Sequence, residues 1–110
     1  MRRNEDVMKA KRMISMYTRN DGKELKELVN SLLKDRCKEE CDFLGEELIE
    51  KRKSDLYEIA EVTIKKAAPQ WSGYAEVNYR SLLQWEVKEA IRDEIYRLIK
   101  LKRIDDFLNR

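Results

Sequence analysis

Cys37 and Cys41 are the only thiols in the chain and stand four residues apart, in the run Cys37-Lys38-Glu39-Glu40-Cys41. On a helix that spacing places both on one face, one turn apart. Two thiolates are half of a tetrahedral zinc site. A second copy across a two-fold axis is the one route to four such ligands, because the chain has no histidine. The simpler expectation is two small side chains in a core, where free cysteine packs readily. A disulfide between them would be strained. We therefore expect no metal and no cofactor. The missing histidine also removes the commonest general base and the usual pH switch. With it goes any Ser-His-Asp or Cys-His nucleophile within this chain. No catalytic residue is assigned, and an enzyme is not expected.

Carboxylates are the other groups whose spacing could do chemistry. Glu39, Glu40, Asp42, Glu46, Glu47 and Glu50 cluster in the middle of the chain. Glu47 and Glu50, then Glu58 and Glu61, spell two ExxE pairs. In spelling they resemble the paired motifs that hold magnesium in all-α nucleotide pyrophosphohydrolases. Such a site needs two packed helices, and residues 50–58 leave too little chain for a turn between them. A solvated acidic face is the expected reading. No Gly-rich phosphate loop is present.

Cations are placed unevenly. Residues 1–20 are net +4, residues 21–61 net −5 and residues 62–110 net +3. If the first and last helices pack together, Arg2, Arg3, Lys9 and Arg12 could join Lys100, Lys102 and Arg103 in one basic patch. That is the electrostatic footprint of nucleic-acid binding. Overall charge is only +2, however, and no helix-turn-helix or other reading motif stands out. The same asymmetry also suits chain-to-chain pairing, a basic end against an acidic middle.

The elements that must position these residues are helices. Residues 4–19 place Val7, Ala10, Ile14 and Tyr17 at helical spacing, with Asn4 as cap and Glu5 and Asp6 at the positive end of the dipole. Asn20-Asp21-Gly22 is a stop and turn signal. Residues 23–45 carry Leu25, Leu28, Val29 and Leu32 on one face. Leu33, Cys37, Cys41 and Leu44 lie on another, roughly 120° away. The spacing predicts a break or bend near Asp35–Glu40, or different neighbours along the helix, and a helix end at Gly45. Residues 46–68 read as one long helix with Leu48, Leu56, Ile59, Ala60 and Ala67 on its apolar face. Pro69 is expected to end it. Residues 79–110 read as the clearest helix, with Leu83, Val87, Ile91, Ile95 and Leu98 on one stripe.

Between the last two helices lies KKAAPQWSGYAEVNYRSLLQW, which holds the only proline, both tryptophans and two tyrosines. Its simplest role is an inter-helix connection whose aromatics close one end of the core. Leu82 and Trp85, though, sit roughly 120–180° from Ile91 on the helical wheel. Arg92, Tyr96, Lys100 and Arg103 share that side. A face both basic and aromatic suits a partner, either protein or nucleic acid.

At 110 residues the chain is expected to form a single domain, an all-α irregular bundle of three to five helices. Charged residues reach 42%, as expected of helices laced with surface ion pairs. No apolar run approaches a membrane span, and a secretory signal is not expected, so the reading is cytoplasmic. The leading functional expectation is a non-catalytic helical module that binds a protein partner or itself as a homo-oligomer. A small regulatory protein that binds nucleic acid through its first and last helices is the alternative.

Overall fold

The computed structural model describes residues 4–110, so Arg2 and Arg3, two of the candidate phosphate contacts, lie outside the described residues. Four helices follow in order: α1 (Asn4–Asp35), α2 (Lys38–Leu44), α3 (Glu46–Trp71) and α4 (Glu76–Leu108). Among the described residues there is no strand, and the architecture is an all-α bundle.

Local sequence accounts for each break. α1 kinks at Asn20, Asp21 and Gly22, which occupy the left-handed region in succession (φ 54°, 59° and 73°). Asparagine, aspartate and glycine are the residues that tolerate this conformation best. Two straight arms result, residues 4–18 and 23–35. The second break comes at Arg36-Cys37, whose backbone N–H groups both donate to the Leu32 carbonyl at 3.0 Å. α2 then restarts on a new heading. This lets the two apolar faces of residues 23–45 meet the core separately: Leu25 and Val29 from one, Leu33, Cys37 and Leu44 from the other, all buried. Gly45 (φ 92°, ψ 146°) turns the chain from α2 into α3.

α3 runs unbroken from Glu46 to Trp71, the one long helix expected, but Pro69 does not end it. A proline in the final turn removes a single backbone donor. Buried Ile64, Ala67 and Ala68 hold that turn against its neighbours. Two groups then satisfy carbonyls that the helix end leaves open. The Ser72 hydroxyl donates to the Pro69 carbonyl at 3.0 Å, and the Tyr79 hydroxyl donates to that of Ala68 at 2.7 Å.

α3 and α4 lie antiparallel. Asp55 and Glu58 lie beside Glu94 and Arg97 at one level, and Lys66 and Gln70 beside Glu86 and Glu89 at another. The second arm of α1 packs on α3, where the Asn30 side chain bonds to the Tyr57 hydroxyl at 3.1 Å. Its first arm lies on the start of α4, where Gln84 donates to the Tyr17 hydroxyl at 3.4 Å. The expected α4 stripe is buried throughout, with Leu83, Val87, Ile91 and Ile95 fully enclosed. Two positions depart from expectation in α1. Val7, near the open tip of the bundle, is exposed, and Met13 takes the core position between Ala10 and Tyr17.

The aromatic stretch divides in two. Tyr79 is fully buried and Trp71 half-buried, its ring 5.6 Å from that of Tyr74, so these close the end of the core. Trp85 points outward and is 51% exposed.

The bundle is long and thin, 58 × 27 × 19 Å, with a radius of gyration of 16.1 Å. A compact chain of this length would have about 13 Å. No helix among the described residues is long and apolar enough to cross a membrane.

Candidate interaction surface

α4 presents two separate outward faces, one on each side of its buried stripe. The first is the expected basic-aromatic face. Leu82 is half-buried, and Trp85, Arg92, Tyr96, Lys100 and Arg103 are exposed. Arg92 Nε donates to the Tyr96 hydroxyl at 3.2 Å, and its guanidinium lies 5.4 Å from that ring's centre. From Leu82 to Arg103 this face spans about 32 Å of helix at 1.5 Å per residue. It is a stripe along a rod, with no single pocket that gathers these six residues.

Part of the predicted set is engaged inside the molecule. Lys102 Nζ donates to the Phe43 carbonyl at 2.5 Å and sits 4.6 Å from the Phe43 ring centre. Arg103 covers the same ring at 5.7 Å. The two cations thus latch α2 onto α4, and Lys102 is no free phosphate contact. Lys9 is held in the same way, bonded to the Tyr74 carbonyl and 4.9 Å from the centre of the Tyr79 ring. Arg12 is exposed and lines a shallow groove with Met16, Glu76 and Arg80.

Among the described residues, the cations of the first and last helices do not join in the single basic patch expected. Lys9 lies beside Tyr79, whereas Lys102 lies 23 residues farther along the unbroken α4. That is about 35 Å of helix, well beyond the Debye length of ~8 Å at physiological salt. The first arm of α1 meets α4 near its start, at Arg80 and Gln84, and this separates the two cation groups.

The second face was not anticipated. Leu101, Ile104 and Leu108 are 48%, 56% and 72% exposed, and with Leu98 and the α3 residues Leu48 and Arg52 they line an open groove. Phe107, 68% exposed, adjoins it. The signal lay in the sequence. After Leu98 the core stripe would continue through Lys102 and Asp105, but the apolar residues move to 101, 104 and 108. Those positions are rotated by roughly 80–140° from Ile91. One wheel centred on Ile91 hides this shift.

The thiols and the carboxylates lie in separate surroundings. Burial and nearby Glu40 push the Cys37 thiol up, and burial and Cys37 push the Cys41 thiol up to about 11. Both directions favour the thiol over the thiolate that a nucleophile needs. Among the described residues no three of the cysteines and carboxylates converge at metal-binding distance. Glu47, Glu50, Glu58 and Glu61 lie along one straight helix. Glu50 pairs with Lys53 at 2.8 Å and Glu61 with Lys65 at 3.8 Å.

Comparison with protein-family models, with curated proteins and with solved structures finds no match.

Proposed function

We propose that the protein is a non-catalytic helical module that binds another protein chain, a second copy or a separate subunit, and that α4 is its binding helix. One observation carries this reading: α4 keeps Leu101, Ile104, Phe107 and Leu108 in water along its last turns. Contiguous apolar surface of this kind, rimmed by charge, marks interaction sites in soluble proteins. The total surface agrees. The chain exposes 7826 Å², whereas a compact monomer of 13.3 kDa exposes roughly 6,500 Å². The excess is larger than the ~800 Å² that each partner contributes to an interface of standard size. Trp85, half exposed on the other face, supplies a second anchor of the type that dominates binding energy.

The test is the composition of the particle that the untagged protein forms in its own host. Purified without nuclease, it is expected to have a light-scattering mass above 13.3 kDa and a protein absorbance spectrum, with polypeptide as its only other component. Copurifying nucleic acid, released as salt rises, would overturn the reading. The slope expected in that case is about −0.9 in log affinity per phosphate contact on duplex DNA.

A further inference from the structure

The groove at the end of α4 matches itself under a two-fold axis. Its apolar residues are spaced three and four apart around Ile104, with Leu101 on one side and Leu108 on the other. Reversing one helix against another about Ile104 sets Ile104 against itself and Leu101 against Phe107, with Leu101 and Leu108 one residue, about 1.5 Å, out of register. Antiparallel helix packing with ridges in grooves uses this spacing.

Charge chooses the direction. Leu48 lines the groove with Asp105, so Glu46 and Glu47 at the start of α3 stand at the same end of the bundle as Asp105 and Asp106 near the end of α4. This makes an acidic tip. Farther in, Arg52 on α3 and Lys102 on α4 line the same groove, a basic band. A parallel copy would set tip against tip and band against band. An antiparallel copy centred on Ile104 brings the tip of each chain over the band of the other. Opposite charges at an interface rim steer association and fix its register, and like charges oppose it.

From these two observations we infer that the occupant of the groove is a second copy of this chain. The chains form a two-fold dimer in which the last turns of α4 cross antiparallel at Ile104, each seated between α3 and α4 of the other. This inference rests on the interaction-module reading and makes it specific. The surface in excess of a compact monomer, about 1,300 Å² per chain by the size scaling, is enough to supply an ordinary dimer interface.

Cysteine cross-linking tests the geometry. In a Cys37→Ala, Cys41→Ala background, Ile104→Cys is placed on the proposed axis. Mild oxidation with copper-phenanthroline should join most chains through a disulfide between the two introduced thiols. Trp85→Cys, exposed to a similar degree but about 28 Å away along α4, should give only a small fraction of dimer. Leu101→Cys mixed with Leu108→Cys should cross-link far better than either alone. Circular dichroism of each variant checks that the bundle is intact. Ile104→Glu in the wild-type background gives an independent readout, since an exposed position tolerates the change. Its light-scattering mass should fall from twice the chain mass to 13.3 kDa. Efficient cross-linking through Trp85→Cys, with Ile104→Glu still a dimer, would overturn the inference yet leave the interaction-module reading in place. A wild-type monomer at tens of micromolar would overturn the inference too. The module reading would fall as well only if that monomer copurified with nucleic acid in place of a protein.

Discussion

The hydroxyl of Tyr79 donates to the carbonyl of Ala68 at 2.7 Å, inside the core and across the turn that joins α3 to α4. Ala68 is one of the last four residues of α3, so its carbonyl has no partner within the helix. Tyr79 therefore does two things at once: its ring closes the end of the core and its oxygen caps the helix beside it. This is why a single aromatic from the unusual stretch is fully enclosed while Trp85 and Tyr74 reach water.

Tyr79→Phe keeps the ring and deletes the bond. It leaves one buried carbonyl unpaired and should cost about 1–3 kcal/mol. Urea unfolding would measure this as a lower midpoint with an unchanged slope. An unchanged midpoint would mean that the bond contributes nothing.

The same residue sets an alkaline limit on stability. Burial pushes its phenol up to about 12, from the ordinary value of 10.0. A raised folded value means that the unfolded chain loses its proton first. The Tyr79 contribution is complete below pH 10, declines between about 10 and 12, and is then fully lost. Tyr79→Phe should flatten that part of the stability-pH curve relative to wild type. Parallel curves through this range would contradict the assignment.

The two glycine turns should respond unequally to alanine. Gly22 (φ 73°, ψ 30°) lies in the left-handed helical region, which a side chain enters at a cost of about 1–2 kcal/mol. Gly45 (φ 92°, ψ 146°) lies close to a region that is essentially glycine-only, where strain is of order 1–3 kcal/mol. Nothing stands within 4 Å of a Cβ built at either position, so backbone strain alone sets the cost. Gly45→Ala should lower the urea midpoint more than Gly22→Ala. The reverse order would show that the α1 kink is the more constrained turn.

Both thiols should be sluggish. Their raised values leave little thiolate at neutral pH. A colorimetric disulfide reagent should modify folded protein far more slowly than unfolded protein, with buried Cys37 behind half-buried Cys41. Fast modification of either in the folded state would point to a reactive centre.

Much of this fold was legible in the sequence because its signals are local. Leu83, Val87, Ile91, Ile95 and Leu98 repeat at helical spacing and are buried. Asn20-Asp21-Gly22 unites three residues that accept left-handed geometry. The two apolar faces of residues 23–45 required a break, and the chain breaks at Arg36-Cys37. Signals that depend on long-range packing were not legible. Pro69 reads locally as a stop, yet tertiary contacts and the Tyr79 cap carry α3 past it. Lys102 and Arg103 read as free cations, but they clasp Phe43, some sixty residues away, and no periodicity announces such a pair. Of the basic-aromatic face, Trp85, Arg92, Tyr96, Lys100 and Arg103 lie exposed on α4 and Leu82 is half-buried. The apolar stripe at Leu101, Ile104 and Leu108 needed a second helical wheel.

Sedimentation velocity of the purified wild-type protein over a wide micromolar range tests most directly whether the end of α4 pairs two copies of the chain. The account predicts that the sedimentation coefficient climbs with concentration to that of a two-chain particle. A Leu101→Glu, Leu108→Glu double variant should keep the helical circular dichroism spectrum and sediment as a single chain of 13.3 kDa throughout. Wild type and double variant sedimenting alike, both as that single chain at every concentration, would contradict it.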